Sequence, residues 1–352
     1  MREASAVIRL DGSHGEGGGA LLRTALVMSA LTQQGLKIDN IRGNTKFFGL
    51  DPEDIAILRT LATCCGADVI GGDLGSTSLT FLPGSLPRSF NGDVQFDRTD
   101  QGRGPNAPIV LASLIPLLAK TQAYSSVTCK GETYGHHALS FDYFSNVTIE
   151  AMKRMGLYAN AELLRPGFGR ESEGEVGVDI EPSHVTGLNW TERGRLKTVR
   201  AIVATSGLAN AMGDRAISHL RNMASNANLP MEPEHVTVGS RQPGSYITVW
   251  AEYENGMGGG TAMGSRGLKA ETLAHAAFDQ MTVWMSTPGC VDEFLADQLL
   301  LPLVVGTTAS SITVPRLTER LTTAIWVVKQ FTPIHLTVKN QENGCSCITI
   351  DR

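Results

Sequence analysis

The apolar positions of this chain change period in a recurring order. Residues 5–11 (SAVIRLD) alternate as a strand does, and a helix-period run follows over about 18–33. LKIDNIR at 36–42 reads as a second strand. A second helix is predicted over 52–65, with Asp51 as its cap and Pro52 as its first residue. Two more extended segments surround Gly71, Gly72 and Gly75. The order returns as strand 93–98, helix 106–120, strand 125–130, helix 138–155 and strands near 158–164 and 175–181. A third pass runs through helix 292–305, strand 310–314, helix 317–331 and strands 334–339 and 346–350.

The third unit begins roughly 100 residues later than the spacing of the first two predicts, which indicates an insertion. Residues 190–286 fill the gap with a pattern of their own: strand 196–204, helix 208–226, strands 234–239 and 245–253, and helix 268–284. Glycines 256, 258, 259, 260, 264 and 267 read as the loop before that last helix. Two helices on one sheet leave apolar faces uncovered, so the repeated units should share a core. The expected fold is α+β. Three βαβαββ-type repeats form a large domain, with repeats one and two over 1–189 and repeat three over 287–352. A smaller α+β domain over 190–286 is inserted before the third repeat.

Composition narrows the classes. Of 352 residues, 42% are hydrophobic and 18% charged, which suits a chain with a substantial core and argues against disorder. Glycine contributes 38, about 11% against an ordinary share of roughly 7%. A net charge of −5 excludes a generally basic nucleic-acid binder, so any anion site must be local. No apolar run reaches the ~18 residues of a membrane span, and MREASAVIRL has no signal-peptide apolar core. Six cysteines form no disulfide or zinc pattern, so a cytoplasmic protein is expected.

Chemistry concentrates at Asp11-Gly-Ser-His-Gly-Glu-Gly-Gly-Gly-Ala-Leu-Leu-Arg23, where a strand turns through glycines into a helix. Free N–H groups at such a helix start suit a phosphate. Arg23 in the first turns and Arg42 at the end of the next strand offer two guanidinium groups nearby. The bland alternative is that the glycines permit a tight turn and close packing. A dinucleotide fingerprint, Gly15-x-Gly17-x-x-Ala20 with Asp39, matches only loosely, because the units alternate as α-β-α-β-β.

LDGSHGEGGGALLR followed by IRG resembles the opening of the RNA 3′-terminal phosphate cyclase family. Three further segments are similar to that family in order along the chain: Arg165-Pro-Gly-Phe168, Glu192-Arg-Gly194 and Val291-Asp-Glu-Phe-Leu-Ala-Asp-Gln-Leu-Leu-Leu-Pro302. The resemblance implies three repeats with a smaller insert. It also implies an ATP-dependent, ligase-class activity in RNA processing. A histidine attacks the α-phosphate of ATP, AMP passes to an RNA 3′-phosphate, and the 2′-hydroxyl closes a 2′,3′-cyclic ester. By motif, Glu16, Asp297 and Gln298 would contact the nucleotide or its Mg or Mn ion, and Phe294 would lie against the nucleotide. Arg23 and Arg42 would face phosphates.

The sequence departs from the family where the chemistry lies. Arg320 in Thr318-Glu-Arg-Leu-Thr322 stands where the nucleophilic histidine is expected, and arginine has no free lone pair near neutral pH. It retains the ability to bind a phosphate. After Arg42 only Lys46 remains basic to meet a phosphate or the RNA end, and Asp51, Glu53 and Asp54 would repel a terminal phosphate. A family glycine triplet is replaced by Arg170-Glu-Ser-Glu-Gly-Glu-Val176. His136 and His137 at a helix start, and His14 in the glycine turn, are the remaining nucleophile candidates. Two readings follow: an ATP-dependent cyclase or related nucleotidyl transferase acting on an RNA 3′ end, or a noncatalytic member that binds RNA or a protein partner.

Overall fold

The computed structural model describes residues 7–135 and 139–352. The first sheet is built from β1 (Val7–Asp11), β2 (Gly35–Asp39), β3 (Asp68–Ile70) and β4 (Leu79–Leu82) in the order β1-β2-β4-β3. β1 and β2 pair parallel, and β4 joins both β2 and β3 antiparallel. Helices α1 (Gly19–Thr32) and α2 (Pro52–Cys65) make the crossovers. Asp51 caps α2 in a reciprocal box with Asp54, Pro52 opens the helix, and Gly66 closes it at φ 56°.

The same pairing returns twice. β5 (Asn91–Asp93), β6 (Ser125–Gly131), β7 (Ala159–Arg165) and β8 (Gly174–Ile180) form the order β5-β6-β8-β7, parallel at β5-β6 and antiparallel elsewhere. Helix α3 (Ala107–Leu118) and a helical run cross over it. That run comprises α4 (Phe141–Tyr143), a π-wound stretch (Phe144–Ile149) and α5 (Glu150–Lys153). The third sheet takes its edge strand from β9 (Asn189–Trp190), ahead of the small insert, which pairs parallel with β14 (Ser310–Val314). A two-residue strand carries no periodicity, so its place was invisible in the pattern. Helices α8 (Glu293–Val305) and α9 (Glu319–Phe331) and strands β15 (His335–Asn340) and β16 (Ser346–Asp351) complete the unit.

The helices of all three units meet in one buried cluster, through residues such as Leu26 of α1, Leu58 of α2, Leu114 of α3, Leu299 of α8 and Val327 of α9. α1 is central and buried along nearly its whole length, which explains why it is apolar on every side. Between β9 and α8, strands β10 (Leu196–Ser206), β11 (Met231–Thr237), β12 (Gly244–Tyr253) and β13 (Gly256–Met263) form a fourth sheet with helices α6 (Asn210–Asn226) and α7 (Ala270–Met285). It has its own core, including Val203, Leu220, Val249 and Met281.

Two expectations need correction. The strand expected over 93–98 is the short β5, Asn91–Asp93. The glycines at 256–260 are not a loop: they lie in β13, paired antiparallel with β12. α7 packs directly on this strand, and a Cβ at Gly260 would stand 2.2 Å from the Ala277 carbonyl oxygen. A Cβ at Gly258 would stand 2.8 Å from the Trp284 ring. Close helix–strand approach, and not turn geometry, is what requires these glycines.

The chain's return from the insert is clamped by Arg193, which donates to the carbonyls of Trp284 (2.9 Å), Met285 (2.9 Å) and Gly289 (2.7 Å). Among the described residues, no helix is long and apolar enough to cross a membrane.

Candidate functional site

A cleft of about 490 Å³ opens where α1, α8 and α9 face β13 and α7 of the insert. Its size suits a nucleotide-scale ligand. Glu16, Arg23, Arg42, Phe294, Asp297, Gln298 and Arg320, all singled out in the sequence, line it together. Arg170, Tyr143, Tyr246 and Gln280 also line it and were not assigned a site role beforehand.

The glycine turn brings Glu16 to the cleft and holds it there. Gly15 and Gly17 adopt φ of 60° and 59°, which L side chains rarely take, and a Cβ at Gly15 would stand 2.1 Å from Thr323 Oγ1. Glu16 N donates to that hydroxyl at 3.1 Å. Glu16 Oε1 then folds forward to accept from Ala20 N at 3.0 Å. The α1 N-terminus has no cap from Gly18, so the anion placed there is the chain's own carboxylate. One of the helix-start N–H groups that would suit a phosphate is thus taken by Glu16.

The arginines differ sharply in how much of their charge is already used. Arg42 is buried and held by Asp54, by Asp51 at 2.8 Å and by the Gly49 carbonyl at 2.8 Å. Burial pulls its pKa down, but Asp54 and Asp51 outweigh that and push it above the ordinary arginine value. Arg42 lines the cleft, with three of its donor bonds spent on Asp54, Asp51 and the Gly49 carbonyl around the α2 start. Arg170 pairs with Glu53 at 3.1 Å. Arg23 has no hydrogen bond or ion pair among the described residues. Burial, then the like charge of Arg320, pulls its pKa below the ordinary value, while Asp297, Glu16 and Glu53 push back. It remains charged near neutral pH and is the cleft's least committed cation.

Caps position the opposite wall. Asp292 accepts from Phe294 N and Leu295 N, each at 2.8 Å, and so starts α8. Phe294 is 46% exposed at the cleft. Gln298 donates to the Phe294 carbonyl at 3.0 Å and accepts from Thr148. Thr318 caps α9 through Leu321 N and donates its hydroxyl to Asp297 Oδ1 at 3.0 Å. Burial pushes Asp297 up to about 6, although Arg320 and Arg23 pull it back. Arg320 turns into the cleft between the two acids, its Nε 3.6 Å from Glu16 Oε2 and a terminal nitrogen 3.7 Å from Asp297 Oδ2.

A family profile described as "RNA 3'-terminal phosphate cyclase" matches residues 14–338. The chain belongs to the RNA 3′-terminal phosphate cyclase family. Relatives of that name are 30% identical over 98% of this chain and 96% of the protein in Methylococcus capsulatus, and 33% identical over 92% and 94% in Nostoc punctiforme. A relative from Pyrococcus furiosus is 32% identical, covering 92% of this chain and 93% of its own.

Against the family chemistry, the cleft lacks a nucleophilic imidazole among its described residues. His14 lies outside it, stacked on Trp326 at 3.8 Å between ring centroids. His136 and His137 lie outside the described residues. Lys46 is exposed beside Phe47 at 5.6 Å and does not line the cleft. Glu16 and Asp297 do not fit the expected metal role, since Arg320 faces both. Among the described residues no three His, Cys, Asp or Glu side chains converge to hold an ion.

Behind the cleft wall, Asp142 is buried, with Oδ1 accepting from the Tyr134 hydroxyl at 3.3 Å and Oδ2 unpartnered. Burial pushes its pKa up to about 7. The folded protein therefore keeps a proton that the unfolded chain loses near pH ~4, and stability falls as pH rises between those values. Asp142→Asn is expected to gain most at about pH 8, on the order of 1–3 kcal/mol for a buried anion with an unpartnered oxygen, and progressively less toward about pH 4, where the folded and unfolded chains both hold the proton. Thermal melts at the two pH values check this; a gain independent of pH excludes ionisation as the cause.

Proposed function

We propose that this chain binds phosphate ends in the arginine-lined cleft, those of a nucleotide such as ATP and of an RNA 3′ terminus, without forming a nucleotidyl-histidine. The observation that carries the reading is Arg320, which enters the cleft at the position where the resemblance places the nucleophile. A guanidinium binds phosphate oxygens well and cannot attack phosphorus. Arg23 supports the reading as an uncommitted cation one turn into α1. Phe294 offers an exposed ring on which a base can stack.

This is the noncatalytic reading of the family scaffold, and cyclisation of the RNA end is its competitor. Two measurements separate them. A 3′-phosphorylated oligoribonucleotide is expected to bind more tightly than its 3′-hydroxyl counterpart in fluorescence anisotropy, with affinity falling as salt rises. Incubation of the protein with α-³²P-ATP and Mg²⁺ or Mn²⁺ is expected to leave no label on it, whereas Arg320→His, which supplies an imidazole at that position, is expected to become labelled. Label on the unaltered chain, or 2′,3′-cyclic phosphate on the RNA, overturns the noncatalytic reading in favour of ATP-dependent cyclase activity.

A further inference from the structure

The two acids that the family resemblance assigns to a metal are arranged here around an arginine. Each uses one oxygen locally: Glu16 Oε1 accepts from Ala20 N at 3.0 Å, and Asp297 Oδ1 from Thr318 Oγ1 at 3.0 Å. The other oxygens, Glu16 Oε2 and Asp297 Oδ2, both face Arg320, at 3.6 and 3.7 Å. Their side chains are 19% and 10% exposed, while that of Arg320 is 44% exposed and open to the cleft. These separations are ion pairs without hydrogen-bond contact, so guanidinium donors remain for a ligand. A divalent ion at the same two oxygens must displace a guanidinium that cannot lose its proton, with Arg23 as a second like charge beside it.

We propose that Arg320 is the resident counter-cation of the Glu16–Asp297 pair, so that the cleft binds a phosphate without a divalent ion. Arg320 then has two tasks. It neutralises the carboxylates that would repel a phosphate, and with Arg23 it donates to the phosphate oxygens. The inference rests on the reading of the cleft as a phosphate site and adds how that site dispenses with a metal.

AMP is the suitable probe, because its single phosphate binds Mg²⁺ weakly and any metal dependence then reports the protein. Calorimetric titration of the full chain is expected to give affinities in EDTA and in Mg²⁺ that agree within roughly threefold, with Arg320 meeting the charge requirement in both. Arg320→Gln is expected to bind AMP at least about tenfold more weakly in EDTA, by loss of charge-assisted bonds, and to regain affinity with Mg²⁺ as the two freed carboxylates take the ion. Arg320→Lys keeps the charge and is expected to retain binding in EDTA. Wild-type binding that requires Mg²⁺, or Arg320→Gln binding as wild type in EDTA, overturns the inference and leaves the phosphate site standing. Absence of AMP binding in both buffers overturns the phosphate site and the inference with it.

Discussion

Arg42→Ala is expected to lose about 3–5 kcal/mol of folding stability, the usual penalty for removing one partner of a buried ion pair. Arg42 and Asp54 are both buried and bound to each other, and Asp51 supplies the second carboxylate. Without the guanidinium, Asp54 remains enclosed near the start of α2 with its charge uncompensated. The loss is largest near neutral pH and shrinks in acid, where Asp54 can take a proton. Urea denaturation at both pH values measures it. A variant that keeps wild-type stability but loses AMP binding makes Arg42 a ligand group and refutes its structural role.

Arg23→Gln is expected to do the opposite. The residue lines the same cleft yet has no hydrogen bond or ion pair among the described residues, so its removal leaves no orphaned partner. Folding stability should stay level or rise slightly, because a desolvated cation is gone. Affinity for AMP should fall by roughly 10- to 150-fold, equivalent to the ~1.5–3 kcal/mol of hydrogen bonds from a charged donor. Calorimetry for binding and a thermal melt for stability separate the two quantities. Unchanged affinity removes Arg23 from the site. Together the two variants distinguish an arginine that holds the fold from one that waits for a ligand, although both stood out equally in the sequence.

Much of the architecture was legible because its signals are local. The predicted cap Asp51 sits three residues before the N–H group it binds. The recurrence of helix and strand periods exposed the units and the long interval between the second and third. What failed were elements whose residues answer to distant neighbours. β13 reads as a glycine loop until α7 is laid against it. β9 is too short to show a period and exists by pairing with β14, more than a hundred residues later in the chain.

The candidate site divides along the same line. Glu16, Arg23, Asp297, Gln298, Phe294 and Arg320 were all named from motifs, and all reach one cleft. Arg170 was not, since its partner Glu53 is 117 residues away and neither carries a local signature of the other. The acidic run at 51–54 was read as hostile to a phosphate. In the folded chain Asp51 and Asp54 hold Arg42, and Glu53 holds Arg170, so their charge is largely spoken for.

The sequence by itself determined most of the order of elements, the start of α2, the family and the substitution of arginine at position 320. Only the tertiary structure decided which charges remain available. Ion pairs form over a few ångströms, and in a low-dielectric cleft each acid is claimed by whichever cation the packing of α1, α2, α8 and α9 brings nearest. That packing couples Glu16 and Asp297 to Arg320, Asp54 to Arg42 and Glu53 to Arg170, and it leaves Arg23 uncommitted.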